Sequence, residues 1–310
     1  MNRVPFSLAV PGSTSNLGPG FDTLGLALSL YLHVRVTDVR DDHRSTLTCD
    51  VGDLEPPGDN LIARAYTCMA ERHGACPSLR VEVRTDIPIK AGLGSSAAAI
   101  VAGLRLYEAV TKPWDLDELL ATAARLEGHP DNTSAALLGG LTVSCLDERG
   151  RVAALAARWP ERVRVVVATP HVTLETKTAR GVLPATVPRA DAVFNVQRVA
   201  LLLQAVHTGR VDLLRDAIRD RLHQPFRAPL VPGLYDALRF EHPALLGVFL
   251  SGAGPSIAAL VDGNPQPVVR LFEELYSRLD FDCAVRVLSV QEPVRCPETM
   301  PAAIPAPPNG

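Results

Sequence analysis

Pro88-Ile89-Lys90-Ala91-Gly92-Leu93-Gly94-Ser95-Ser96-Ala97-Ala98 stands between a strand-like run and an alanine-rich helix. Gly92 and Gly94 carry no Cβ, so the backbone there is free to take positive φ and to come close to a ligand. The helix that follows aims unpaired N–H groups and a partial positive charge at the loop, a setting that suits a polyphosphate. Ser95 and Ser96 add hydroxyls suited to phosphate or to a phosphate-bound Mg²⁺. Two common nucleotide motifs are excluded. A Walker loop needs a Lys after its last glycine, and Ser95 stands there. The dinucleotide fingerprint needs a third glycine, and Ala97 occupies that place.

Periodicity extends the reading outward. Leu30, Leu32, Val34 and Val36 alternate with polar neighbours, as does Leu79–Arg84, and both read as half-buried strands. Between them Asn60 offers an N-cap to a helix over about 61–72. After the loop a buried helix is expected from Ala97 to Val110. An amphipathic helix then runs from Leu116 to Glu127, stopped by Gly128 and Pro130. Strands are expected at Leu141–Leu146 and Val163–Ala168, then helices at Asp191–His207 and Val211–Leu222. A strand–turn–strand unit at Gly247–Val261, a helix at Pro267–Leu279 and a strand at Cys283–Val290 follow. Helices and strands mix without regular alternation, which indicates an α+β fold in two parts meeting near residues 150–160. The Pro- and Ala-rich stretch from about Pro297 to Gly310 reads as a disordered tail.

Bulk properties narrow the function classes. With 310 residues the chain is long enough for two domains with real cores. A net charge of −3 gives no electrostatic case for nucleic acid or an anionic membrane. No run of about 18 apolar residues suggests a membrane span, and the N-terminus lacks a signal-peptide pattern. Six cysteines without C-x-x-C spacing read as reduced, mostly buried thiols of a cytoplasmic protein. A homodimer is the default assembly on frequency alone.

Three glycine-rich segments carry the functional signal. Besides Pro88–Ala98 they are Pro11-Gly12-Ser13-Thr14-Ser15-Asn16-Leu17-Gly18-Pro19-Gly20-Phe21-Asp22 and Leu250-Ser251-Gly252-Ala253-Gly254-Pro255-Ser256. Each is weak alone. With Glu127-Gly128-His129-Pro130-Asp131-Asn132, Thr176–Arg180 and Pro225–Gly233 in this order, the chain resembles the GHMP kinases, and among them the homoserine kinase family, from about Val4 to Val290.

That resemblance implies a two-domain architecture with the active site in the inter-domain cleft, residues 1–155 and 156–296 forming the domains and 297–310 a tail. It implies an ATP- and Mg²⁺-dependent transfer of phosphate to the side-chain hydroxyl of L-homoserine, on the way to threonine. Pro88, Lys90, Ala91, Gly92, Leu93, Gly94, Ser95, Ser96, Ala97 and Ala98 match the ATP loop, and Asn60, Leu61 and Ile62 the adenine pocket. Ser96 and Glu127 match the metal ligands. Arg180 and Arg227 match the arginines that take the substrate carboxylate, a partner suited to the planar guanidinium fork. Asp22 matches the residue facing the ammonium and Asn16 the one at the hydroxyl. Thr176, Asn132 and Gly252 fall among the substrate contacts. Asp131 is a candidate general base or an orienter of the hydroxyl, since a loose phosphoryl-transfer transition state leaves little for a base to do. His129 is either a substrate contact or a structural hydrogen-bonder. Lys90 replaces a smaller residue of relatives and either adds charge near the phosphates or points to solvent. The rival readings are a mevalonate-type GHMP kinase, to which Asp22 would offer an ammonium site without an ammonium, and a non-catalytic ligand-binding homologue.

Overall fold

The computed structural model describes residues 5–52 and 60–294, so the tail from Pro297 and Cys296 lie outside the described residues. The first half is a six-stranded sheet with helices packed on it. Its strands are β1 (Phe6–Asn16), β2 (Gly20–Arg40), β3 (Leu47–Asp50), β4 (Ser78–Thr85), β5 (Leu141–Leu146) and β6 (Val152–Ala157). The order is β3-β4-β2-β5-β6, with β1 pairing antiparallel to β2. The helices are α1 (Leu61–His73), α2 (Ser95–Val110), α3 (Leu116–Glu127) and α4 (Asp131–Leu138).

The second half is a four-stranded antiparallel sheet of order β10-β7-β9-β8. Its strands are β7 (Val163–Pro170), β8 (Leu245–Leu250), β9 (Ile257–Asp262) and β10 (Cys283–Leu288). Around it lie α5 (Thr176–Gly181), α6 (Arg189–Thr208), α7 (Leu214–Ala217), α8 (Gln224–Arg227), α9 (Leu234–Ala237) and α10 (Gln266–Arg278). Because β6 still belongs to the first sheet, the chain passes to the second between Ala157 and Val163.

One cluster of apolar side chains joins the halves. Val163, Val165 and Val167 of β7 pack into the core of the first sheet, whereas Val166 and Ala168 pack with Phe272 and Leu275 of α10. Period two on a strand buried on both faces accounts for the unbroken apolar run at this point in the sequence. After β10 the chain returns to the first half. Gln291 accepts from Gly140 N–H and donates to the Ala27 carbonyl, and Leu28 pairs with Val290.

Several expectations need correction. The helix after the glycine loop begins at Ser95, not Ala97, so both serines lie in its first turn. The motif containing Asp131 is a helix start rather than a turn alone. The expected helix over Val211–Leu222 is broken after Ala217. The Asp220 carboxylate there accepts from the N–H groups of Leu222, His223 and Gln224, offering the backbone an alternative to helical bonds. The thiols are also less buried than expected: of those described only Cys76 is buried, and Cys145 is exposed.

Candidate active site

The three glycine-rich segments, distant in sequence, are knitted together between the two sheets. Ser13 N–H donates to the Leu93 carbonyl (3.0 Å), Gly252 N–H to Ser15 (3.3 Å) and Ser256 N–H to Ala91 (3.2 Å). Ser251 Oγ donates to the Gly92 carbonyl at 2.6 Å and lies 2.8 Å from Thr14 Oγ1. The glycines of the loop serve this seam. A Cβ on Gly92 (φ +75°) would sit 2.3 Å from the Ser251 carbonyl oxygen, and one on Gly94 (φ +70°) 2.2 Å from Ser13 Oγ. The close approach they permit is thus of protein to protein, where the sequence suggested protein to ligand.

Beside the seam opens a cleft of about 680 Å³. At one end its wall is apolar, with Leu32, Val51, Leu61, Val83, Ile89 and Ala99. Asn60 and Ile62 also line it, and Asn60 Oδ1 caps α1 by accepting from the N–H of Ile62 (3.1 Å) and Ala63 (3.2 Å). Next comes the loop, whose Lys90, Ala91, Gly92, Gly94, Ser95 and Ser96 face the cleft. Gly94 is the N-cap of α2 and supplies no side-chain acceptor, leaving the first-turn N–H groups to a ligand. Pro88, Leu93, Ala97 and Ala98 do not line the cleft; the last three are buried side chains packed beneath it. Lys90 is exposed at the cleft, and its Nζ lies 3.3 Å from the exposed Glu175 of the other half.

Ser96 in the first turn of α2 and Glu127 in the last turn of α3 meet at 2.5 Å, Oγ donating to Oε1. Burial pushes the Glu127 carboxyl above its ordinary range, against the Ser96 hydrogen bond and the neighbouring His129. Among the described residues no Lys or Arg pairs with it. A carboxylate short of counter-charge beside a hydroxyl is an oxygen-only donor set that fits Mg²⁺.

The far end of the cleft holds the charges. Arg180 grips Asp22 bidentately, Nη2 to Oδ1 at 2.7 Å and Nη1 to Oδ2 at 2.9 Å. The resemblance assigned these two side chains to opposite ends of a substrate; here they bind each other. Arg227 is almost wholly buried, and burial followed by the Arg180 charge lowers its pKa to about 10. Its Nε donates to the Ala179 carbonyl (3.0 Å) and its Nη1 to the Gly252 carbonyl (3.1 Å), leaving Nη2 without a protein partner among the described residues. Asn16 is likewise engaged: Nδ2 donates to Gly252 and Oδ1 accepts from Asp22 N–H, both at 3.0 Å. Thr176, exposed at the start of α5, and buried Gly252 line the same end.

At the junction of the two ends, His129 Nδ1 lies 2.7 Å from Asp131 Oδ1. Burial opposes charge on both, yet the pairing prevails: the imidazole pKa is raised and the carboxyl pKa lowered. Oδ1 of Asp131 also accepts from the N–H of Asn132 at 2.7 Å. Asn132 bridges to the first segment, accepting from Ser13 Oγ and donating to Ser15 Oγ.

Sequence reading missed the apolar wall, which comes from alternate strand residues indistinguishable in pattern from core. It also missed Ser15, Glu175 and a buried group around His223. His223 and Asp220 follow a helix-like pattern in the sequence, and nothing local marks them as neighbours of the cleft.

A glycine loop running into a helix start, a carboxylate–hydroxyl pair beside it and a charged pocket beyond belong to a small-molecule kinase. The family models agree: "GHMP kinases N terminal domain" matches residues 60–140 and "GHMP kinases C terminal" residues 202–278. The fold is shared with a mevalonate kinase from L. major at 17% identity, with a TM-score of 0.63 over 93% of this chain and 96% of that one. Nearer relatives are homoserine kinases. That of Solibacter usitatus is 42% identical, covering 87% of this chain and 90% of its own. That of Deinococcus radiodurans is 44% identical over 83% and 85%. The crystal structure of homoserine kinase from Cytophaga hutchinsonii superposes with a TM-score of 0.81 at 25% identity, covering 94% and 97%. The chain belongs to the homoserine kinase family of the GHMP kinases.

Proposed function

We propose that this cleft transfers the γ-phosphate of ATP to the side-chain hydroxyl of L-homoserine, giving O-phospho-L-homoserine. The observation that carries the substrate reading is the bidentate Asp22–Arg180 pair beside Arg227. It presents one anion and two cations where a zwitterion with a free hydroxyl would lie. On binding, the substrate carboxylate takes the guanidinium fork of Arg180 and the Nη2 of Arg227, and its ammonium takes Asp22, so the internal pair is exchanged for charge-assisted contacts to the ligand. Asn16 and Asn132 hold the hydroxyl in line with the phosphate. A mevalonate-type substrate, lacking the ammonium, would strip Arg180 from Asp22 and leave that carboxylate unpaired.

The apolar end receives the adenine, and the N–H groups of the Gly92–Ser96 loop hold the phosphates. Ser96 and Glu127 would hold Mg²⁺, which supplies neutralisation of phosphate charge. Asp131 acts by orientation rather than as a base. It is 1% exposed, its Oδ1 already accepts two hydrogen bonds near 2.7 Å, and its pKa is lowered. A loose transition state asks for position and charge neutralisation more than for proton removal.

The test is ADP release with Mg-ATP and L-homoserine, beside mevalonate, L-threonine, L-serine and galactose. Turnover with homoserine should far exceed the rest. Preference for mevalonate or galactose would overturn the substrate reading, and absence of turnover from folded, ATP-binding protein would favour a non-catalytic role.

A further inference from the structure

The carboxylate pocket is assembled from both halves of the molecule, and one buried side chain touches both sides of it. His223 is 0% exposed and immediately precedes α8, which carries Arg227. Its Nε2 lies 2.7 Å from the carbonyl oxygen of Gly18, in the turn between β1 and β2 that presents Asn16 and Asp22. A carbonyl only accepts, so Nε2 carries the proton. Its Nδ1 faces Arg227 Nη1 at 3.4 Å, and a guanidinium only donates, so Nδ1 is bare. The ring is therefore neutral and fixed in one tautomer. Burial keeps its pKa below the ordinary imidazole value, Arg227 adding to the depression and Asp220 opposing it.

The ring is also stacked on Phe21, with centroids 5.3 Å apart and planes 28° from parallel. Phe21 immediately precedes Asp22, and the guanidinium carbons of Arg180 and Arg227 lie 5.5 and 5.2 Å from its centroid. Behind the ring, Asp220 accepts from the His223 N–H (3.0 Å) and from Asn195 Nδ2 (2.7 Å). Asn195 Nδ2 in turn reaches the carbonyl of Pro19 at 3.0 Å, so two consecutive carbonyls of the β1–β2 turn are held by the second half.

We propose that His223 is a positioning residue: by joining the Gly18 carbonyl to Arg227 and backing Phe21, it sets the separation between the Asp22 grip and the arginine grip. It does not line the cleft. The inference rests on the proposed amino-acid pocket for its meaning; the contacts of His223 itself are with Gly18, Phe21, Asp220 and Arg227, none of them in the glycine loop.

The test compares wild type with His223→Leu, which keeps bulk and loses both polar contacts, and His223→Gln, whose amide N–H can still reach Gly18. Steady-state KM for homoserine and for ATP are measured with kcat and Tm. His223→Leu should raise the homoserine KM about tenfold or more while ATP KM moves less than about twofold, and His223→Gln should recover part of the loss. A homoserine KM unchanged in both variants, or both KM values rising together, would overturn the proposal. If His223→Leu does not fold, the same split in His223→Gln decides. Should wild type turn over a different acceptor, the substrate reading falls, and the KM of that acceptor against that of ATP tests the positioning role independently.

Discussion

At the α2 end of the cleft the first-turn N–H groups have no capping side chain, and Ser96 and Glu127 have only each other. At the opposite end nearly every polar group is engaged by the protein itself: Asp22 by Arg180, Asn16 by Gly252 and Asp22, Arg227 by Ala179 and Gly252. On the proposed reading the first end meets its ligand with ready donors and a carboxylate, whereas at the second the ligand displaces an internal ion pair. The difference follows the ligands: a polyphosphate brings enough charge to satisfy an open site, whereas a small zwitterion needs a pocket whose charges are already opposed and spaced.

The open end should give the largest effects. Replacing Glu127 with Gln, or Ser96 with Ala, removes a group that, on the proposed reading, serves to neutralise charge in the transition state. We expect kcat to fall about 10²–10³-fold with the homoserine KM nearly unchanged, since losses of such preorganised stabilisers have that size. Steady-state kinetics with both substrates varied checks this. A homoserine KM that rose as steeply as kcat fell would erase the distinction between the two ends.

Asp22→Asn breaks the closed end. It removes one charge of the bidentate pair, so the homoserine KM should rise about 10–100-fold, the range of a charge-assisted hydrogen bond, with ATP KM holding. The comparison sharpens with 4-hydroxybutyrate, which lacks the ammonium. Wild type should discriminate strongly against it, and the variant should discriminate much less. Equal discrimination by both proteins would mean that Asp22 does not face the ammonium.

The two ends were not equally legible in the sequence. The phosphate end is local: Gly92, Gly94, Ser95 and Ser96 lie within five residues, and a glycine loop entering an alanine-rich helix has a recognisable physical meaning. Helices α1, α3 and α10 and strands β5 and β9 were visible from periodicity and caps for the same reason. The closed end is built from contacts far apart in sequence. Arg180 meets Asp22 across 158 positions and His223 meets Gly18 across 205. Without the resemblance to a family, Asp22 and Asn16 would read as turn residues. Even with it, no pattern in the chain announces that Arg180 and Asp22 bind each other, or that the polar segment after α7 abandons the helix to wrap Asp220. The apolar wall of the cleft stayed hidden because Leu32 and Val83 obey the strand alternation that elsewhere fills a core.

The smallest effect is expected at the junction. His129 and Asp131 form a buried pair, with side chains 15% and 2% exposed, in which the imidazole pKa is raised from 6.5 and the carboxyl pKa lowered from 3.8. A raised imidazole contributes stability in full below 6.5 and loses it as pH climbs through the folded-state value. A lowered carboxyl contributes in full above 3.8 and loses it as pH falls through its own folded-state value. Both contributions are therefore complete only between those two numbers. Asp131→Asn should accordingly cost more stability in urea titrations at about pH 5.5 than at about pH 9. The same cost at both values would make the contact a neutral hydrogen bond. The junction would then belong with the uncharged serine and asparagine seam at its back rather than with the charged pocket in front.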